Sequence, residues 1–389
     1  MISLALIAFL LACQQSEKDT STQQDSGTQD SGTEDTATEI EPSSEPSADG
    51  QSFLVLEEGD SGGQLALRNT GEWENGEVLR EASLEGKLVV KDEYVWLLNR
   101  GGSESIVQYD PSDFTQPKAE YVWEGPSALY PSDVAICEGQ VFISQYYGSG
   151  ILVLDENTFE VLGEINLDAY ADDDGFAEAS SLVCKKSFLY VSLHRFNQNE
   201  DPNAEEPQQI GSLWVMFDPK TWEEERQFPD QGYRSLMIDV PGTQVFGSVI
   251  EPHIDVTGTT GFWIYDPVAD SYNSQIYFAY NDKTIFDTAI GGSRAVHLAY
   301  NYADNATWAF CHEYTPGQDQ PGYSYERLVS SVITLDSVVM NAQDEAWLAF
   351  HKDDDPPKHS LMSIDSQTCQ PNEDNQEIEH RIIDWLMVD

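Results

Sequence analysis

Basic side chains are scarce in this chain. Nineteen Lys and Arg stand against 69 Asp and Glu over 389 residues, for a formal net charge of −50. Neutralising nucleic-acid phosphates takes clustered Lys and Arg, so nucleic acid and anionic membrane patches are excluded as partners. Such excess acid suits high salt, divalent cations or cationic partners, and a solvated surface in a saline habitat is its plainest reading. Long apolar runs are missing too. The longest, residues 1–13 (MISLALIAFLLAC), is too short to span a bilayer as a mature helix. Residues 14–50 hold no aromatic residue. Nowhere does the chain show a Gly-x-Ser-x-Gly elbow, a His-Glu-x-x-His motif or a phosphate loop, which removes the best-marked hydrolase and nucleotide chemistries. Thr257-Gly258-Thr259-Thr260-Gly261 reads as a hairpin turn.

What the chain has is a repeat. An apolar strand ends in Asp, a tight turn follows, then Thr or an aromatic. The marker reads Tyr109-Asp110-Pro111, Leu154-Asp155-Glu156-Asn157-Thr158-Phe159, Phe217-Asp218-Pro219-Lys220-Thr221-Trp222, Tyr265-Asp266-Pro267 and Ile364-Asp365-Ser366-Gln367-Thr368. The spacings between these Asp residues are 45, 63, 48 and 99, the last being two units of which one has lost its Asp. A period in the forties with several short strands per unit predicts an all-β propeller over residues 51–389. A β-sandwich also repeats strands, but it seldom needs about 340 residues and does not repeat a whole unit.

Each unit opens on an apolar run suited to a strand buried on both faces, such as Asp133-Val134-Ala135-Ile136-Cys137, Ser181-Leu182-Val183-Cys184 and Ala295-Val296-His297-Leu298. The first unit lacks that run and starts on Phe53-Leu54-Val55-Leu56, while Asp384-Trp385-Leu386-Met387-Val388 is left over at the other end. The C-terminal strand is therefore expected to complete the first blade and hide the sheet edges. Second strands near 54, 96, 143, 191, 246, 309 and 348 count seven blades. Another split of Gly258 to Ser337 would give six or eight.

Residues 1–12 read as a secretion signal, and Leu10-Leu11-Ala12-Cys13 resembles the bacterial lipobox. The resemblance implies a lipidated Cys13 at the mature N-terminus, although no Lys or Arg precedes the apolar run. Residues 13–50 then form an acidic linker. Positions 14–50 carry ten acidic residues and one basic one (Lys18), too little apolar surface to fold. As a coil they would span roughly 35 Å. Signal, linker and head together imply a protein anchored to a membrane by its lipid, at the bacterial cell envelope. The partner expected there is another protein or a polymer, and the head is expected to be a monomer.

In a propeller, one face carries the loops after each second strand and those entering each innermost strand, and ligands usually bind there. On this reading the second strands end on Asn99, Gln145, His194, Glu251, His312 and His351, with His253 close by. These seven form a candidate ligand rim. Imidazole and carboxylate together suit zinc or a similar ion, while the plainer alternative is that they hydrogen-bond loop backbones. A second candidate is calcium at Asp168, Asp172, Asp174 and Glu178, where carboxylates precede Gly175 without the spacing of an EF-hand. Cys137 and Cys184 hold the same place in consecutive blades and are candidates for a disulfide. Cys311 and Cys369 are expected on opposite faces, unpaired.

The units Trp96-Leu97-Leu98-Asn99…Ile106-Val107-Gln108-Tyr109-Asp110 and Tyr190-Val191-Ser192…Leu213-Trp214-Val215-Met216-Phe217-Asp218 resemble those of the YVTN-repeat β-propellers. That resemblance covers roughly residues 51–389 and rests on repeat grammar, since the tetrapeptide itself is absent. It implies a secreted or surface bacterial propeller, a group with lactonase-like and lyase-like relatives. The expected role is a binding or scaffolding module. The alternatives are an enzyme using His194, His312 or His351 on the loop face, and a structural acidic surface protein.

Overall fold

The computed structural model describes residues 37–39, 51–59, 62–70, 72–124, 129–172, 174–195, 211–228, 234–239, 246–251, 261–277, 283–301, 306–313, 326–330, 333–341, 343–352 and 358–388. Cys13 and the signal segment lie outside them, as do most of the linker and residues 196–210 and 314–325. The described residues form seven sheets, each built on four antiparallel strands running outward from an axis, and no α-helix. Blade 1 is Ile382–Val388, Ser52–Gly59, Gly62–Asn69 and Glu77–Ala82. Blade 2 runs Lys87–Lys91, Tyr94–Asn99, Ser105–Tyr109, Ala119–Val122, and blade 3 Pro131–Cys137, Gln140–Gln145, Gly150–Asp155, Val161–Asn166. Blade 4 is Ala179–Lys185, Phe188–Leu193, Leu213–Phe217, Glu224–Phe228, and blade 5 Arg234–Asp239, Phe246–Glu251, Gly261–Asp266, Ser271–Tyr277. Blade 6 is Lys283–Ile290, Arg294–Asn301, Ala306–Glu313, Glu326–Ser330, and blade 7 Thr334–Met340, Ala346–Lys352, Lys358–Asp365, Gln370–Ile378. The chain is thus an all-β, seven-bladed propeller. The last strand pairs with the first blade strand, Ser52 opposite Val388 and Val55 opposite Trp385, which closes the ring.

The repeat marker has a physical cause. It sits in the turn between third and fourth strands, where the Asp carboxylate accepts the turn's own N–H groups. Asp155 Oδ1, for example, takes Asn157 N and Thr158 N at 2.9 Å. The aromatic that follows then bolts its blade to the one before. Phe159 stacks on Trp96 of blade 2 at 5.8 Å, and Trp222 Nε1 donates to Gln140 of blade 3 at 3.0 Å. Near the axis, adjacent blades share backbone bonds through an inner-strand side chain. Asp384 accepts Leu88 N, Asp133 accepts Leu182 N, Ser181 Oγ accepts Met237 N and Asp287 accepts Val338 N, each at 2.8 Å. Lys91 Nζ adds a bond to Leu182 O (2.9 Å) and sits 3.3 Å from Asp133. Blade 1 holds a buried pair in which Arg68 meets Glu57 and also donates to Trp73 O and Gly76 O.

Three expectations need correction. In blade 6 the innermost strand is Lys283–Ile290, so Ala295–Leu298 belongs to the second strand and the strand near 309 is the third. The phase slipped because this blade has no marker Asp and its innermost strand alternates Ile285, Asp287, Ala289 instead of running apolar. Cys311 and Cys369 were expected apart, yet they form a disulfide, as do Cys137 and Cys184. With blade 6 rephased, Cys311 lies towards the exit of a third strand and Cys369 in a third-to-fourth-strand turn, both on one face. Cys369 fills the marker position of Phe159 and Trp222, so the bolt between blades 6 and 7 is covalent. Within the linker, Ala37–Glu39 lie as a parallel fifth strand beside Glu326–Ser330, so these three residues are not free coil.

Candidate functional site

The second strands deliver their ends to the loop face, but their side chains do different work. Asn99 Oδ1 accepts Ser83 N at 3.0 Å and its Nδ2 donates to Ser105 Oγ at 2.9 Å, so it ties the incoming loop. Gln145 is buried against the turn at Gly148. Glu251 ends its strand as expected, though its side chain and all of His253 lie outside the described residues. His312 does not belong to the set. It lies on a third strand opposite Ala295 near the other face, where its ring stacks on His297 at 5.0 Å. Burial, then Arg294, pushes His312 down to about 4, so it is neutral at pH 7. Counted from the inner-strand bulge, Tyr300 is the blade 6 residue equivalent to His194 and His351.

His194 belongs to a cluster on the loop face of blades 2 to 4. Its Nδ1 lies 3.3 Å from Tyr146 Oη, with the rings edge-on at 5.8 Å. Tyr146 meets Tyr147 at 5.1 Å, Tyr147 meets Tyr130 at 5.4 Å and Phe176 at 6.1 Å, and Arg100 lies 4.7 Å over the Tyr130 ring. A fully buried carboxylate builds this platform. Glu104 accepts Tyr130 N at 2.8 Å and Leu129 N at 3.1 Å, holding Tyr130 at φ 58°. Left-handed backbone is costly for a bulky residue and collects at functional sites. Among the described residues, the non-glycine left-handed positions on this face are Tyr130, Glu178 and Arg195, all at this cluster. The others sit in the turns of the opposite face.

The acidic loop borders the cluster. Asp172 accepts Asp174 N at 3.0 Å, Asp174 accepts Phe176 N at 2.9 Å, and Asp168 accepts Asn166 Nδ2 at 2.9 Å. Glu178 is fully buried. These carboxylates therefore shape their own loop. Burial and the neighbouring Asp174 raise Asp172 to about 6, and burial lowers the Arg195 guanidinium. Asp172 Oδ2 and Arg195 Nε find no hydrogen-bond partner among the described residues.

His351 joins a different group. Its Nδ1 lies 2.8 and 2.9 Å from the two carboxylate oxygens of Asp336, and its ring lies 5.8 Å from that of His359. Burial lowers the pKa of His359. Among the described residues, these three alone bring three His, Cys or carboxylate ligand atoms within 4.8 Å of one another. The sequence reading found His194 and His351 but missed Tyr130, Tyr146, Tyr147, Asp336 and His359. The signals were present: a Tyr-Tyr pair directly after a second strand, and two His eight apart across a hairpin. On the opposite face, a polar cleft of about 860 Å³ between blades 6 and 7 is lined by the Arg294, Asp344 and Ser366 ties that hold those blades together.

The chain matches no protein-family model and no curated protein. Solved structures share its fold. A quinonprotein alcohol dehydrogenase-like protein from Bacteroides thetaiotaomicron overlays with a TM-score of 0.54 at 8% identity, covering 88% of this chain and 80% of its own. Apo AztD from Citrobacter koseri overlays with a TM-score of 0.50 at 9% identity, covering 87% and 98%. At such identity the likeness extends to the fold alone. What fold and site define together is a seven-bladed β-propeller with an aromatic cluster on the loop face of blades 2 to 4.

Proposed function

We propose that this propeller is a lipid-anchored, extracytoplasmic binding module whose ligand face is the Tyr130, Tyr146, Tyr147, Phe176 and His194 cluster of blades 2 to 4. The observation that carries the reading is the platform itself. A buried Glu104 holds Tyr130 in a strained conformation so that three tyrosines meet, with Phe176 against Tyr147 and His194 against Tyr146. Aromatic faces supply stacking area, and Arg100, over the Tyr130 ring, adds a cation at its edge. The ligand class that fits is an envelope polymer or protein presenting flat or aliphatic faces edged with polar groups. Anchoring rests on the sequence features at Cys13 and the linker, which place the head on a short leash from the lipid surface.

The test places a photo-crosslinking residue at position 147, on the cluster, or at position 162, an exposed site on the fourth strand of blade 3. Both are introduced into the full chain in its own cells. Adducts that form from 147, fail from 162 and weaken in Tyr146→Ala support the reading. Equal adducts from both positions overturn it. Membrane fractionation of Cys13→Ala tests the anchor separately: the variant should move to the soluble fraction, and retention on membranes refutes lipidation.

A further inference from the structure

Blade 7 carries a ligand set that the aromatic face does not use. We propose that Asp336, His351 and His359 form a binding site for one divalent transition-metal ion of the zinc and iron(II) class. Three neighbouring strands supply the set. Asp336 sits at a register shift of the innermost strand, between Leu335 and Ser337. A bulge of this kind re-aims one side chain out of the alternating pattern. His351 and His359 stand directly opposite each other on the second and third strands, so both imidazoles project from one side of the sheet at its loop-face end.

The spacing is that of a site needing only small rotamer changes. One ligand atom from each residue lies within 4.8 Å of the others. Bonds to such an ion run about 2.0–2.2 Å, so two ligands at about 90–110° sit about 3 Å apart. Asp336 and His351 already meet at 2.8 Å, and the ion takes the place of the proton they share. Two imidazoles with one carboxylate select a borderline metal over calcium or magnesium, which favour all-oxygen shells. The net charge of −50 draws cations to the surface. With three protein ligands and partly exposed side chains (33% for Asp336, 24% for His351), the remaining coordination positions face solvent and accept water or a small anion. The site does not depend on the function proposed above and stands or falls separately from it.

The experiment uses the full chain without a poly-His tag, stripped with chelator, dialysed, then titrated with zinc and with cobalt(II). One equivalent per chain is expected, with cobalt d–d bands in the visible spectrum. His359→Gln and His351→Ala should each weaken binding at least tenfold, whereas Glu160→Ala, an exposed carboxylate elsewhere, should not. Near-UV circular dichroism of His359→Gln should overlay the wild type, which separates ligand loss from unfolding. Undiminished binding in a His351→Ala/His359→Gln double variant overturns the assignment, and so does wild-type binding weaker than about 100 μM for both ions.

Discussion

Cys311–Cys369 is the sharpest test of how blade 6 is built. If the strand around residue 309 were a second strand, Cys311 would point towards the loop face and could not reach a turn on the other side. As the third strand it places Cys311 5.5 Å, Cα to Cα, from Cys369. The bond closes a loop of 58 residues. Loop-closure entropy for that length amounts to about 4 kcal/mol, and measured losses on removing native disulfides run about 2–5 kcal/mol. Cys311→Ser/Cys369→Ser should therefore cost about 3–4 kcal/mol. Spread over an unfolding entropy near 2 cal/mol/K per residue, this lowers Tm by about 4–6 °C. The assay is peptide mapping without reductant, followed by calorimetry. A Cys311 peptide linked to a Cys369 peptide, with a Tm loss of that size, supports the strand order. Free thiols at both positions would refute the phase assigned to blade 6 and, with it, the removal of His312 from the loop face.

The central ring predicts a pH response. Burial on the innermost strand of blade 6 raises Asp287 from its ordinary value to about 6. A carboxyl raised in this way stabilises the fold below its unfolded pKa and loses that contribution as pH climbs through the folded one, so moving from pH 7 to 5 adds about 1 kcal/mol. His312, pushed down to about 4, works in the opposite sense and subtracts about 2 kcal/mol over the same interval. The measurement is thus a difference: urea midpoints at pH 7 and 5 for wild type and Asp287→Asn, with the variant expected to lose about 1 kcal/mol more on acidification. An identical pH response in both would show that Asp287 is not perturbed. In blade 1, Glu57→Gln leaves the buried Arg68 without its charge partner and should cost about 3–5 kcal/mol, and a loss under 1 kcal/mol in the same urea assay would show the pair to be dispensable.

Much of the ring was legible because the marker turn is chemically forced. An Asp that accepts its own turn's N–H groups and an aromatic that bolts to the preceding blade leave a trace in sequence wherever both survive. Blade 6 lost the Asp, and its innermost strand carries Asp287 where apolar residues were expected, so the reading there slipped by one strand. That slip alone displaced His312 and separated Cys311 from Cys369. The same logic makes the disulfide readable in retrospect, since Thr368-Cys369 repeats Thr158-Phe159 and Thr221-Trp222 with sulfur in place of a ring. The site was less legible. Tyr130 belongs to the loop entering blade 3, and what makes it part of a platform is a carboxylate 26 residues earlier, an interaction with no periodic signature.

The fate of the second-strand ends explains why a rim read from sequence position alone was too generous. A repeat places equivalent backbone at equivalent sites, but it does not decide whether the side chain there holds its own loop or faces a ligand. Asn99 has both polar ends spent on Ser83 and Ser105, so replacing it would loosen a loop and leave chemistry untouched. His194 and His351 sit at the same station yet each faces a group from another strand or blade, Tyr146 in one case and Asp336 in the other. Function in this propeller therefore follows from what a neighbouring element brings to the station. The two places where it brings aromatic or carboxylate partners, the blade 2–4 face and the end of blade 7, are the two proposed binding sites.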